Sequence, residues 1–117
     1  MKLSIRKPIA LNRLYGRNHF GSVYVKPEGQ VWKQECIYLI NTMCEEPMTG
    51  EVSLTIDLYT SKHQDIDSIF KILFDSIQAS GIIEDDYQIT HLVANKYKCK
   101  KSEEKIEFEL LPCPIKK

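Results

Sequence analysis

The sequence predicts an α+β fold, a small mixed β-sheet of about four strands with two helices packed on one face. Three observations predict it. The chain has 117 residues, enough for one core and too few for two, so residues 1–117 form a single domain. Segments with the two-residue period of strands and segments with the 3.6-residue period of helices follow one another as strand, basic loop, helix, strand, helix, strand, strand. That order lacks the regular alternation of a doubly wound sheet.

Lys2-Leu3-Ser4-Ile5-Arg6 alternates polar and apolar residues as a half-buried strand does, and Pro8 stops it. Residues Asn12 to Phe20 show neither period, are punctuated by glycine and carry two arginines, so they read as a basic loop. Val23-Tyr24-Val25 is a short extended piece. A helix is expected from about Pro27 to Cys44, because Pro27 and Glu28 suit a first turn and Trp32, Cys36, Leu39, Ile40 and Met43 form one apolar stripe. Pro47 lies beyond its end.

Glu51 to Tyr59 is the clearest strand, with Val52, Leu54, Ile56 and Leu58 on one face. A second helix runs from about Asp65 to Ala79 through Ile66, Ile69, Phe70, Leu73 and Ile77, and Gly81 ends it. Two further strands fall around Gln88–Lys98 and Lys105–Leu111, and the charged run 100–104 between them suits an exposed hairpin loop.

Composition narrows the function classes. No stretch reaches the roughly 20 apolar residues that span a bilayer, and the first residues have no apolar signal core, so the expectation is a soluble, cytoplasmic protein without membrane contact. The four cysteines, at 36, 44, 99 and 113, lack zinc-finger spacing and read as reduced thiols. Net charge is zero but unevenly spread: residues 1–34 carry +6, residues 35–90 carry −9 and residues 91–117 carry +3. Basic arms around an acidic, metal-holding middle would suit a polyanion; an uneven solvated surface is the plainer reading of the same pattern.

The acidic middle has its own pattern. Asp65 and Asp67 open the second helix, and the turn after that helix carries Glu84-Asp85-Asp86. An aspartate caps a helix well, so one of the two needs no further role. Asp67, Lys71 and Asp75 are successive i,i+4 neighbours and would at least form surface ion pairs. If the ends of neighbouring elements bring Asp65, Asp67 and Asp86 together, their repulsion calls for a cation, and an oxygen-only set suits Mg2+, with Mn2+ as a substitute. Such an ion with a nearby lysine is equipment for phosphodiester hydrolysis.

The run Asp65-Ile66-Asp67-Ser68 with Lys71 and Asp75, followed by Gly81-Ile82-Ile83-Glu84-Asp85-Asp86-Tyr87-Gln88-Ile89, resembles the central signature of the RusA family of Holliday junction resolvases. That signature is Asp-x-Asp-Asn, then a lysine and an aspartate, then Gly-hydrophobic-x-x-Asp-Asp-x-Gln-hydrophobic. Asn12-Arg13-Leu14-Tyr15 and Glu28-Gly29-Gln30 are similar to the family as well, so the resemblance covers most of the chain. It implies that Asp65, Asp67 and Asp86 are metal-binding catalytic carboxylates and Lys71 the catalytic lysine. Asp85 is a weaker candidate, an acid behind them, and Asp75, which also matches the signature, reads instead as a structural group or a partner for Lys71. Ser68 departs from the family's asparagine, and Lys62-His63 replaces an arginine-rich approach.

The implied activity is a magnesium-dependent endonuclease that cuts four-way DNA junctions as a homodimer, since two equivalent strands need two equivalent sites. Arg13, Arg17, His19, Lys26 and Lys62 are the expected phosphate contacts, with Lys96, Lys98 and Lys100 as further candidates and Tyr15 and Phe20 as possible stacking groups. A non-catalytic branched-DNA-binding protein of the same fold is the alternative, and a metal-regulated interaction domain unrelated to DNA is a third reading. A nicking assay separates the first two, and salt-sensitive DNA binding separates both from the third.

Overall fold

The computed structural model describes residues 1–8, 15–17, 21, 23–44 and 46–113, and for 15–17, 24 and 25 it describes the backbone alone. Among the described residues, six strands and two α-helices run in the order β1 (Lys2–Arg6), β2 (Tyr15–Arg17), β3 (Val23–Val25), α1 (Pro27–Met43), β4 (Val52–Thr60), α2 (Phe70–Ala79), β5 (Ile89–Lys98) and β6 (Lys105–Pro112). Short 3-10 turns cover 66–69, 86–88 and 101–103.

Four strands form one mixed sheet in the order β1-β6-β4-β5. β4 sits inside it because it can serve two neighbours: every second side chain from Val52 to Thr60 is buried and those between are half-buried. Along β6 the same alternation buries Ile106, Phe108 and Leu110. Both strands aim their apolar rows at the helices, where Trp32, Ile69, Leu73 and Ile77 close the core. The Trp32 indole N–H donates to the carbonyl of Arg6 at 2.8 Å, which ties α1 to the end of β1.

The α+β class, the four-stranded mixed sheet and the two-helix layer agree with the sequence expectation. Several details differ. The segment 100–104 does not close a hairpin, since β6 passes β4 and inserts between it and β1. β4 thereby gains an antiparallel partner on one side and a parallel partner, β5, on the other. Residues 15–17, within the expected basic loop, pair with β3 as a separate two-stranded ribbon. Met43 is exposed rather than part of the α1 stripe, because it lies on the last turn beyond the edge of the core. The first turn of the second helix is wound as a 3-10 turn, and the α-helix proper begins at Phe70. Gly81 ends that helix with φ of +83°, a conformation that side chains with a Cβ resist.

None of the four cysteines is in a disulfide. Burial pushes the Cys36 thiol up to about 12, so it is a core side chain rather than a nucleophile. No helix of the described residues is long and apolar enough to cross a membrane.

Candidate functional site

β4, α2 and β5 form a crossover between parallel strands, and this geometry decides where each acid goes. β4 delivers the chain to its carboxyl end at Thr60, α2 carries it back, and β5 starts again beside Val52, the first residue of β4. Asp65 and Asp67 therefore lie beyond the carboxyl ends of the two strands, and Asp86 lies before their amino ends. The eight residue steps between Val52 and Thr60 span roughly 26 Å.

At the carboxyl end, one side chain organises the turn. Glu104, at the end of the 101–103 turn, accepts from the Ser61 N–H and the Ser61 hydroxyl, both at 2.8 Å, and from the Lys7 ammonium at 3.0 Å. The Lys7 ammonium also donates to the Thr60 hydroxyl at 3.1 Å. These two ionic side chains are only 11% and 15% exposed, so solvent screens the pair poorly. The Ser61 donors, then Lys7, hold the Glu104 carboxyl down to about 2 against its own desolvation.

Beyond this clamp, Gln64 donates to the Ser68 hydroxyl at 2.7 Å, and its carbonyl accepts from Lys96 of β5 at 2.9 Å. The Thr60 hydroxyl donates to the Gln64 carboxamide oxygen at 3.4 Å, so the start of the segment bearing Asp65 and Asp67 is tied to β4 on one side and to β5 on the other. Asp65, Asp67 and Lys71 are exposed there. Ser68, which replaces the family's amide, still finds a partner in Gln64.

Next to the segment lies a cleft of about 130 Å³ lined by Thr60, Ser61, Lys62, His63, Lys96, Tyr97 and Lys98. Three lysines and a histidine with three hydroxyls around a small hollow suit a phosphate group. Tyr97 stacks on Tyr59 with ring centroids 5.0 Å apart, which steadies one wall.

The amino end is built differently. Gln88 is buried, and its carboxamide oxygen accepts from the N–H of Glu84 and of Asp85 while its nitrogen donates to the carbonyls of Met48 and Gly50. One side chain so fixes the acidic turn to the segment that leads into β4. A groove of about 740 Å³ opens beside it, lined in part by Met48, Ile83 and Tyr87. The Asp86 carboxyl is raised above its usual range by a hydrogen bond shared with the Asp85 carboxyl, by some desolvation, and by the charges of Asp85 and Asp75. Asp75 lies eight residues past Asp67, about 12–14 Å along the helical segment.

The structure thus brings Asp75, Asp85 and Asp86 into one electrostatic neighbourhood and leaves Asp65 and Asp67 at the far end. The expected convergence of Asp65, Asp67 and Asp86 does not occur within one chain. Among the described residues, no group of three or more His, Cys, Asp or Glu side chains is placed to hold a metal ion. The physical reason is that a crossover helix returns the chain to the start of the next parallel strand, which is the opposite end of the sheet.

Of the expected DNA contacts, Lys62, Lys96 and Lys98 line the basic cleft. Lys100 is exposed just past β5. Lys26 is partly buried directly before α1, and Arg17 belongs to the β2–β3 ribbon. Arg13, His19 and Phe20 lie outside the described residues, as does the side chain of Tyr15. Sequence reasoning missed Glu104 and Lys7, which have no local motif and meet across 97 residues. Gln88 stood in the signature, but only the fold shows it as the buried tie of the acidic turn.

An α+β domain with exposed carboxylates beside a basic cleft at the carboxyl ends of its parallel strands has the chemistry of a phosphodiester-handling protein. The comparison with protein families makes this specific. The chain belongs to the RusA family: the model of endodeoxyribonuclease RusA matches residues 6–110. This is a family of endodeoxyribonucleases that act on branched DNA junctions. No curated protein matches the chain.

Proposed function

We propose that the chain is a magnesium-dependent, structure-specific endodeoxyribonuclease that resolves Holliday junctions by paired symmetric nicks. The observation that carries this reading is that, in a RusA-family chain, exposed Asp65 and Asp67 follow within four residues of His63, which with Lys62, Lys96 and Lys98 lines a basic cleft. A phosphate seated in that cleft neighbours the carboxylates, and Lys71, one turn past Asp67, adds positive charge near the reacting group.

Asp86 belongs to the proposed catalytic set, with Asp85 behind it, although one chain does not gather the set. The donors are all oxygen, which suits magnesium, with manganese as a substitute. When bound, such an ion supplies charge neutralisation and an activated water. Three carboxylates around one ion would need two chains, which agrees with a homodimer acting on two symmetric strands.

The second reading is a branched-DNA-binding protein without catalysis, and the absence of a three-acid cluster among the described residues of one chain favours it. Incubation of labelled four-way junctions and linear duplexes, with and without magnesium, separates the two. Paired nicks in the junction alone, only with magnesium, are the expected result. Salt-sensitive junction binding with intact strands at every magnesium concentration would leave the second reading in place.

A further inference from the structure

We infer that Tyr97 is a stacking platform for one unpaired nucleobase of the DNA strand whose phosphate occupies the basic cleft, and that this contact favours branched over linear DNA. Strand register sets three side chains in one row across the sheet: Lys105 of β6 and Tyr97 of β5 face Tyr59 of β4 from either side. Leu58 points into the core, so Tyr59 and its two neighbours lie on the opposite face of the sheet. Glu107 holds the Lys105 ammonium at 2.8 Å, and that ammonium stands 5.1 Å from the centroid of the Tyr59 ring. Tyr97 lies against Tyr59 in turn, with centroids 5.0 Å apart and planes 25° from parallel. Each group is held by the one behind it, and the row ends in a ring that is oriented before any ligand arrives.

That last ring is open. Tyr97 is 44% exposed although Tyr59 covers one of its faces, and β5 ends the sheet, so among the described residues no strand stands against the other face. Tyr97 also lies outside the buried core. Two tyrosines on a sheet surface are commonly no more than a cross-strand pair. What assigns this pair a ligand is that Tyr97 is at the same time a wall of the cleft, with Lys62, His63, Lys96 and Lys98.

A nucleotide within a strand carries a charged phosphate and a flat base one sugar apart, and the cleft and its tyrosine wall offer a partner to each. In a linear duplex every internal base is paired and stacked on both faces, so none is free to meet the ring. A base at a branch point or in a single strand has such a face, whatever its identity, and the contact therefore reads DNA structure rather than sequence. The platform rests on the row of rings and the cleft; that the base belongs to a four-way junction rests on the nuclease reading.

DNA carrying iododeoxyuridine, which on irradiation joins to an aromatic side chain stacked on it, identifies the contact. The base should cross-link to Tyr97, located by peptide mass spectrometry, in a single strand and at the branch point of a junction, and not in a linear duplex. Tyr97→Phe keeps a flat ring and should bind the junction within about twofold of the unmodified chain, whereas Tyr97→Leu should weaken junction and single-strand binding by about tenfold and linear duplex binding by less than about twofold. The retained duplex binding reports that the cleft is still folded. Junction binding by Tyr97→Leu as tight as that of the unmodified chain, an equal loss on linear duplex, or a cross-link that avoids Tyr97 would each overturn the platform. Tyr97 cross-linked to a single strand in a protein that cuts no junction would uphold the platform and remove the nuclease reading instead.

Discussion

The two ends of the β4–β5 pair make one comparison. The carboxyl end is basic and clamped by ions: Glu104 and Lys7 hold the turn at Ser61, and lysines surround a phosphate-sized hollow. The amino end is acidic and clamped by one neutral amide, Gln88, beside a much larger and mostly apolar groove. Both ends carry aspartates of the proposed catalytic set, yet only the carboxyl end has the charge to hold a phosphodiester. The difference teaches that neither end of one chain gathers the three proposed carboxylates among the described residues.

The sharpest way to break the comparison is to damage the ends separately. Asp67→Asn should lower junction cleavage by about a thousandfold or more while binding changes little, as its carboxylate is asked to act only on the reacting phosphate. Cleavage at the unmodified rate would remove Asp67 from the mechanism. An equimolar mixture of Asp65→Asn and Asp86→Asn chains extends the test. If the ends act in trans, each mixed dimer keeps one intact site, and nicking should return to about a quarter of the unmodified level. No recovery in a mixture shown to exchange subunits would place both acids in the same chain's site.

Lys71→Ala comes next and should slow single-turnover cleavage by about 10²-fold, with junction affinity within about threefold. An equal loss of affinity and rate would make the lysine a binding group. Lys62→Gln with Lys98→Gln should weaken binding to every DNA tested and make the slope of log affinity against log salt shallower by about 1–2. An unchanged slope would empty the cleft of its role.

The stability effects are smaller. Glu104→Gln should cost about 1–3 kcal/mol at neutral pH, since the carboxylate accepts charge-assisted bonds that an amide serves poorly. The sign with pH follows from the lowered Glu104 pKa. Its contribution is complete above the ordinary value of 4.5 and is lost as pH falls toward about 2. Melting temperature should therefore drop over that window in the unmodified protein and drop less in the variant. Asp86→Asn should leave the fold equally stable or slightly more stable at neutral pH, because it removes a charge repelled by Asp85 and Asp75. A clear loss of stability in that variant would assign Asp86 a structural rather than a functional task.

Much of this was legible in residue order alone, because its causes are local. Alternation along β4 and β6, the Trp32–Cys36–Ile40 stripe of α1 and the glycine stop at Gly81 are each set by side chains within a few positions of one another. The acidic signature is likewise a short run with fixed spacing, so the family could be read from it. Only the tertiary structure decided that β6 passes β4 to reach β1, that Glu104 reaches Lys7 and Ser61, and that Asp86 stands at the far end of the sheet from Asp65. Those outcomes depend on which strands become neighbours, a choice made by the packing of the whole core. Residues adjacent in a motif can therefore end a sheet's length apart, and residues without any motif can meet.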